Sequence, residues 1–519
     1  MVGVYGKRLA KEIISTHFGD LVAKVCNCLL QSGTLSLHEI VRYTGMPGSH
    51  VKNCLLILIQ HNCVQAFCTP RKGSIDKTVT LYMAIFDNII NRMRFSKFLS
   101  LIKGGDLAPK DSQTKEGQCK YALLKGILQN GRLTFEQLVE RSISKEQQTD
   151  RVQEKHQSEL RACFNELVRL HYVERCPRPE PFIYPEPEDQ PKPTKRRGAK
   201  TAEQPLSLEQ QAIEAATLAE SERFSEIPES SVERAGDGIV NHSPATGDKR
   251  KHETLKTDLD LLVAIAENEV LWRANFEKLL YCLRTKICAE NVRSRLGDDA
   301  GVVFEAIMEA NAEQKIKATI VIATFDGILN NLSGSMTLDG VRTILDELDC
   351  KSATDKLEAI YSLDLNATLE ACKNDEIEAV VKARYGDQGY KIFRLLSTKD
   401  QLIETDRIAE ITFMEKKEAH QMLYKLWRDE FIDIKKVPSQ GSGESASISL
   451  WRLHRKPLYQ TLLDDIFHAA LNLTVKISQL VEKQHEILED DMKNLLKRKF
   501  ILQLSLLKLD DSLMLFHDF

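Results

Sequence analysis

One stretch of this sequence occurs twice. Residues 28–41 read CLLQSGTLSLHEIV, and residues 126–139 read GILQNGRLTFEQLV. Most paired positions match in character, and identical residues include Gln31, Gly33, Leu35 and Val41, which recur as Gln129, Gly131, Leu133 and Val139. A separation of about a hundred residues is too long for a solenoid repeat and is typical of a duplicated small domain. The fold therefore depends on what one copy forms.

The first copy predicts three helices followed by two strands. Apolar residues recur at spacings of three and four in three successive stretches before Asn62, and Gly33 and Gly45 separate those stretches. After Asn62 the pattern alternates, so residues 63–67 and 79–83 are predicted to be strands. Three helices closed by a two-stranded hairpin form a winged helix, a variant of the helix-turn-helix.

The junction between the last helix and the first strand recurs further along the chain. It is found at residues 58–65, 167–174 and 426–433, where an aromatic residue or a cysteine precedes a β-branched residue. A weaker helix start at 336–341 indicates one more copy. We therefore predict a mainly α fold with small β-wings, built from about four tandem winged helices.

The composition narrows the function. No apolar run approaches the ~18 residues of a membrane span, and the N-terminus lacks the apolar core of a signal peptide, so no membrane association is expected. The 12 cysteines form no CxxC pair, which favours reduced, buried thiols. The net charge of −4 argues against strong DNA binding by the chain alone, because such proteins are usually basic.

A linker is predicted in the middle of the chain. Ten of the 15 prolines lie between Pro177 and Pro244, among blocks of charge, so residues 177–255 should pack little core beyond one short helix around 208–223. Its basic clusters at 195–197 and 249–251 are either solvated charge, signals for nuclear import or a contact with nucleic acid. Residues 258–372 then predict an almost wholly helical block, with Trp272 and Phe276 on one helix.

The tail predicts a C-terminal coiled-coil hairpin. Apolar residues recur every seven positions at Ile466, Leu473, Leu480 and Ile487, and residues 492–507 suggest a second, antiparallel helix. This seam must pair with the second helix, with a partner subunit or with both, so its residues are candidate docking positions. The apolar chain end at 513–516 also needs cover. The predicted boundaries are 1–85 and 86–176 for winged helices 1 and 2, 177–255 for the linker, 256–372 and 373–455 for winged helices 3 and 4, and 456–519 for the tail.

No catalytic motif is found. The sequence contains no phosphate loop, no GxGxxG after a strand, no HExxH and no GxSxG. The histidines near the first winged helix are too far apart to form a ligand pair on one helical face, and paired acids such as Asp490 and Asp491 fit solvated helix charge. We therefore predict no catalytic residue, no metal site and no cofactor.

The candidate DNA contacts lie in winged helix 1. A winged helix places its third helix in the major groove and its wing against the backbone or the minor groove. Lys52 lies on the third helix, and Arg71, Lys72 and Lys77 lie in the polar segment 70–77 between the strands. Neither clear third helix carries an arginine fork for guanine, so we expect weak phosphate contact without sequence reading. The alternative is that these residues are ordinary loop charge.

Two stretches carry a family resemblance. One reads THFGDLV at 16–22, ahead of the Gly33 turn, and the other combines RYG at 384–386, IFRL at 392–395, KEA at 417–419 and MLYK at 422–425. Together with tandem winged helices, a Pro-rich middle and a coiled-coil tail, they resemble the winged-helix subunit of RNA polymerase III, the largest member of that enzyme's initiation heterotrimer. That family is related to the alpha subunit of the general factor TFIIE.

The resemblance implies a non-catalytic nuclear subunit. It would dock on the clamp of the largest polymerase subunit beside its two heterotrimer sisters, help to recruit the enzyme to a promoter-bound initiation factor, and help to open DNA at small RNA genes such as those for tRNA and 5S rRNA. DNA contact would be weak and without sequence specificity, and the polymerase reaction would belong to other subunits.

Two alternatives remain from the residues alone. A scaffold subunit of another large intracellular complex would lead a helical solenoid into one winged helix, whereas here the modules repeat. A stand-alone transcription regulator would need at least one strongly basic recognition helix, and neither clear third helix is basic.

Overall fold

Winged helix 1 contains the three predicted helices, α2 (Asp20–Ser32), α3 (Leu37–Thr44) and α4 (Gly48–Gln60), so α4 is its third helix. A helix that was not predicted, α1 (Val4–Phe18), precedes them, and the strands are β1 (Leu35–Ser36), β2 (Val64–Arg71) and β3 (Ser74–Ala84). Ser36 and Glu39 form a capping box at the start of α3. Gly33 and Gly45, with φ of 77° and 63°, end α2 and α3 in backbone conformations that favour glycine.

The computed structural model describes residues 3–71, 74–103, 113–142, 150–183, 207–227, 270–311, 319–332, 336–354, 359–399, 401–438, 447–483 and 489–519. They divide into one unit formed by Ala10–Leu280 and another formed by Met1–Leu9 with Tyr281–Phe519. Winged helices 1 and 2 lie in the first unit, and winged helices 3 and 4 with the tail lie in the second.

Winged helix 2 receives its last strand from far along the chain. After the connecting helices α5 (Phe86–Ile90) and α6 (Phe95–Leu99), it contains α7 (Lys115–Asn130), α8 (Phe135–Ser142), α9 (Asp150–Arg169), β4 (Val173–Arg175) and β5 (Trp272–Ala274). β5 pairs antiparallel with β4, and the amide and carbonyl of Trp272 exchange hydrogen bonds with those of Leu133. Trp272 is 2% exposed and meets the ring of Phe164 edge-on at 5.1 Å.

The placement of Trp272 on a helix was wrong. The spacing from Trp272 to Phe276 fits a helix, but the chain is extended up to Asn275, whose amide donates to the carbonyl of Tyr172. The Asn275 side chain then accepts from the amide of Lys278, so it caps the next helix, α12 (Phe276–Leu296). Burial of the indole in winged helix 2 outweighs the local periodicity.

Two segments inside the predicted linker pack on the first unit. The short helix expected around 208–223 is present as α10 (Leu208–Ala216) and α11 (Glu220–Arg223). Ala212 of α10 joins Ile183 in an apolar cluster with Phe67 and Met83 of the first wing. Arg223 of α11 and Arg273 of β5 both pair with the carboxylate of Glu174, which is 2% exposed.

Winged helix 3 contains more strand than expected. It consists of α13 (Asp298–Ala310), β6 (Ile320–Thr324), α14 (Phe325–Asn331), α15 (Leu338–Glu347), β7 (Lys351–Thr354) and β8 (Ala359–Asp364). The prediction of an almost wholly helical block is therefore wrong, because its three strands form a sheet of the winged-helix type. Each strand has only four to six residues, so its alternation is too short to show as a period in the sequence.

Winged helix 4 begins within a long helix. α16 (Leu365–Lys399) is interrupted at Gly386, whose φ is 70°. β9 (Ile403–Glu404), α17 (Thr405–Thr412), α18 (Lys416–Arg428), β10 (Asp433–Pro438) and β11 (Ser447–Arg452) complete the domain. Trp451 on β11 is 1% exposed, and its indole N–H donates to Thr405 Oγ1 at 2.8 Å.

One sheet topology recurs among the described residues. The strand orders are β1-β3-β2, β6-β8-β7 and β9-β11-β10, and in winged helix 2 the bridge at Leu133 places β5 between it and β4. In every case the second wing strand occupies the centre of the sheet. The fold class predicted from the repeat, tandem winged helices in a mainly α chain, is confirmed.

The tail forms a hairpin rooted in the second unit. α19 (Arg455–Lys483) packs against α20 (Glu489–His517), which extends ten residues beyond the predicted end at 507. The apolar chain end is covered by the chain itself, because Leu515 lies in the core of winged helix 3 and Phe516 contacts the cores of winged helices 3 and 4. The root of the hairpin is therefore part of the domain core.

A buried arginine packs against aromatic rings beside the third helix of winged helix 1. The guanidinium of Arg92 lies over the rings of Phe18 and Phe95, at 4.5 and 5.2 Å from their centroids. The His61 ring contacts Phe18 at 4.5 Å. Burial, and after it the charge of Arg92, together lower the pKa of His61 to about 4.

We expect core truncations to be costly. Leu58→Ala and Leu426→Ala should each lower the free energy of unfolding of their domain by about 2–5 kcal/mol, because both side chains are 0% exposed and a cavity would remain. Leu56→Ala is the matched control, since Leu56 lies on the same helix as Leu58 but is 65% exposed. Denaturant unfolding followed by hydrogen exchange measures each domain. A loss below about 1 kcal/mol at both buried sites would contradict the assigned core.

Winged helix 1 should lose stability as the pH falls from 7 to 5. Below about pH 6.5 an unfolded chain protonates His61, whereas the folded chain resists protonation until the pH approaches 4. His61→Gln should shrink this pH-dependent loss, because glutamine does not titrate. Denaturant unfolding of both proteins at the two pH values makes the comparison, and an identical loss in both would show that His61 does not control it.

Candidate nucleic-acid and docking surfaces

The first wing is longer than predicted. β2 and β3 pair in register from Val64↔Ala84 to Pro70↔Thr78, and a shift then brings Arg71 opposite Ser74. The predicted loop at 70–77 is therefore mostly strand, because pairing continues close to the tip. Arg71 and Lys77 lie on the paired strands, but their side chains lie outside the described residues, as does Lys72.

The third helix of winged helix 1 presents a mixed surface. Lys52 and Asn53 are exposed on α4, and Leu56, one turn after Lys52, is 65% exposed. Tyr43 at the end of α3 is 56% exposed and lies beneath the guanidinium of Arg42, 5.5 Å from its ring centroid. A cation beside an exposed leucine can meet a phosphate, but it offers no fork for reading a base. The surface suits a protein partner or non-specific DNA contact.

The outer edge of the first wing is occupied. The amide of Cys68 donates to the carbonyl of Pro181, and the amide of Ile183 donates to the carbonyl of Cys68, both at 2.9 Å. This parallel pairing uses backbone groups of β2 that would otherwise lie at a free sheet edge. Strand addition by a partner is therefore blocked at this point of the wing.

Sequence reasoning missed an aromatic surface on winged helix 4. His420, Tyr424 and Trp427 follow one another along the exposed face of α18, and the Tyr424 ring lies 5.1 Å from that of Trp427. Phe413, in the turn before α18, is 96% exposed and has a φ of 55°. The inward residues of α18 have the same three-and-four spacing as the aromatic residues. The sequence pattern therefore does not show which of the two faces is exposed. Exposed tyrosine and tryptophan are enriched at protein interfaces.

The RYG motif has a structural role. Arg384 pairs with Asp465 of the tail at 2.9 Å, and the Tyr385 hydroxyl donates to Asp429 at 2.7 Å. Burial raises the pKa of Tyr385, while the hydrogen bond from Tyr385 lowers the pKa of Asp429. Gly386 supplies the left-handed break in α16. The motif thus joins the long helix to both α18 and the tail.

The predicted docking seam is only partly buried where it is described. Ile466, Leu473 and Leu480 are half-buried, and Ile487 lies outside the described residues. The more exposed apolar residues are on the second helix of the hairpin: Leu496, Phe500, Ile501 and Leu504 are 45%, 60%, 60% and 42% exposed. Their pattern was hidden because apolar residues occupy both faces of α20.

A small cavity lies at the root of the hairpin. It has a volume of about 160 Å³ and lies between α16, α19 and α20. Its lining is mainly apolar and includes Ile377, Leu462 and Leu509, with the Arg384–Asp465 pair.

Among the described residues, no group of three or more histidine, cysteine or acidic side chains is arranged to hold a metal ion. In the same part of the chain, no helix is long and apolar enough to cross a membrane.

Three family models match successive parts of the chain. Residues 8–68 match the RNA polymerase III subunit RPC82 helix-turn-helix domain, residues 162–375 match RNA polymerase III subunit RPC82, and residues 377–453 match the POLR3C C-terminal winged-helix domain. These ranges include the helices α2 to α4 of winged helix 1, the strands β4 and β5 of winged helix 2, and winged helices 3 and 4.

Curated relatives cover nearly the whole chain. The DNA-directed RNA polymerase III subunit rpc3 of Dictyostelium discoideum is 21% identical, over 94% of this chain and 93% of the relative. The RPC3 subunits of Danio rerio and Homo sapiens are 22% and 21% identical, each over 92% of this chain and 86% of the relative. The resemblance seen in the sequence is confirmed: the chain belongs to the RPC3 (RPC82) family, the winged-helix subunits of RNA polymerase III.

Proposed function

We propose that this chain acts in the nucleus in promoter recruitment, initiation and DNA opening by RNA polymerase III, at small RNA genes such as those for tRNA and 5S rRNA. As a member of the RPC3 family it is a non-catalytic subunit of that enzyme. The observation that supports the proposal most is the match of RPC3 relatives across more than nine-tenths of the chain.

The exposed surfaces favour protein partners. The third helices of winged helices 1 and 4 present Leu56, Tyr424 and Trp427 to solvent, and the net charge of the whole chain is −4. Such surfaces suit docking on the heterotrimer sisters, on the clamp of the largest subunit and on a promoter-bound initiation factor. In this proposal the seam residues Ile466, Leu473 and Leu480 hold the tail hairpin together as a docking element.

DNA contact would be secondary. The tip of the first wing carries Arg71, Lys72 and Lys77, and the occupied outer edge of β2 holds the base of the wing in place. Basic residues at a wing tip can meet phosphates, which positions DNA without specifying a sequence. We propose that this wing contributes weak, sequence-independent contact once the enzyme has reached a promoter.

The proposed role is tested by removing the chain from its polymerase. RNA polymerase III depleted of this subunit should lose promoter-directed synthesis from a tRNA gene, and the purified chain should restore it. Synthesis from a template with a preformed bubble should continue, because the reaction belongs to other subunits and no opening is needed. Equal loss on both templates would instead assign the chain to core assembly or catalysis, and no loss on either would remove it from initiation.

The wing is tested by a triple substitution. Changing Arg71, Lys72 and Lys77 to Ala should reduce crosslinking of the first wing to promoter DNA and lower the salt dependence of that contact, by up to about one unit of slope per lost phosphate contact. Preference among promoter sequences should not change. Permanganate footprinting would report the accompanying loss of open DNA.

The matched control for the wing changes the same residue types elsewhere. Arg8, Lys11 and Lys24 are exposed on α1 and α2, and their replacement by Ala removes the same charge. The account predicts near-normal crosslinking and opening for this control. Equal effects from the two triple variants would show that only bulk charge matters, and unaltered crosslinking in the wing variant would leave its residues as loop charge.

A further inference from the structure

The outward face of α20 combines exposed apolar residues with one sign of charge. Leu496, Phe500 and Leu504 lie four residues apart, so they follow one another along the helix, and Ile501 lies beside Phe500. All four are between 42% and 60% exposed. Four large apolar side chains on three successive turns form a continuous patch. Continuous exposed apolar patches mark interaction sites more often than isolated exposed residues do.

The charged residues of α20 within and beside this patch are all positive between Met492 and Leu509. Between Met492 and Leu509 the cations are Lys493, Lys497, Arg498, Lys499 and Lys508, and the segment contains no acidic residue. None of the five takes part in a salt bridge found among the described residues. This concentration opposes the net charge of −4 of the whole chain.

The opposite face of α20 is already committed. Leu495 is 6% exposed, and Leu513 and Met514 are 0% exposed, so the inward residues are covered by α19 and the winged domains. The hairpin root is fixed by contacts such as Ser512 to Glu376 at 2.6 Å and Tyr459 to Glu370 at 2.7 Å. Neither interaction uses the outward face, so a partner can bind there without opening the hairpin.

We propose that this face binds an acidic amphipathic helix of a partner protein, which packs as a third helix along α20. Apolar anchors at four-residue spacing suit an apolar helix stripe, and the flanking lysines suit acidic residues on either side of that stripe. Nucleic acid would match the cations but would leave Leu496, Phe500, Ile501 and Leu504 without an apolar partner. The inference rests on the proposed role of the tail as a docking element and specifies the chemistry of its partner.

Photocrosslinking in the assembled enzyme tests the partner's chemistry. A benzophenone amino acid replaces Phe500 in the tagged full-length chain, which is purified with the polymerase, irradiated and analysed by mass spectrometry. The expected product is a crosslink to one peptide that carries a net negative charge and an apolar residue every three or four positions. The same probe in place of Tyr424 is the control, and it should yield a different peptide or none.

Charge reversal provides the second arm. Lys493→Glu with Lys497→Glu should weaken retention of the chain on the polymerase about tenfold at moderate salt, with unchanged thermal unfolding. Replacing two acidic residues of the crosslinked peptide by lysine should restore retention. Lys11→Glu with Lys24→Glu, on α1 and α2, reverses the same charge as a control and should retain normal binding.

The outcomes separate this inference from the proposed function. A chain that assembles normally but crosslinks from position 500 to DNA, to lipid, to a basic peptide or to nothing overturns the acidic helix and leaves the polymerase role standing. Normal retention after charge reversal also overturns it. A chain that does not assemble with the polymerase at all overturns both.

Discussion

The central strand of each sheet is the constraint on which this architecture depends. In a winged helix the second wing strand pairs on both sides, so the domain cannot close without it. Winged helix 2 obtains that strand from Trp272–Ala274, almost a hundred residues after Val173–Arg175. The indole of Trp272 fills the core against Phe164, and Glu174 on the neighbouring strand is held by Arg273 and Arg223. The proline-rich middle of the chain is thus an insertion between two neighbouring strands of winged helix 2.

Much of the fold could be predicted because the repeated stretch contains the residues that start and end its helices. Gly33, Ser36 and Gly45 end or start helices through backbone conformation and capping, which are local properties that a sequence displays directly. The missed elements depend on distant partners. β5 has three residues and no period, and the packed segments around Ile183 and Ala212 contribute one or two apolar side chains each. These segments are stabilised by the domain surface on which they pack. Because they bury few apolar side chains of their own, their composition resembles that of a linker.

The candidate surfaces were harder to predict for the same reason. The heptad spacing of Ile466, Leu473 and Leu480 correctly indicated a hairpin, but these three residues are half-buried. The exposed faces at Tyr424 and Phe500 share their helices with core residues at nearly the same spacing. Periodicity alone cannot tell which of two apolar faces is covered, because that depends on the neighbouring helix. Of the residues predicted to meet DNA, Lys52 is exposed next to the exposed Leu56. A cation beside an apolar side chain suits a protein partner as well as non-specific DNA contact.

The proposed role of this chain is initiation by RNA polymerase III, and nascent transcription after rapid depletion tests that proposal most directly. Newly made RNA is sequenced minutes after the chain is degraded in cells, before secondary effects develop. The account predicts an early fall in new tRNA and 5S rRNA, with new messenger RNA and large ribosomal RNA unchanged. A uniform fall across all classes, or unchanged tRNA synthesis, would contradict it.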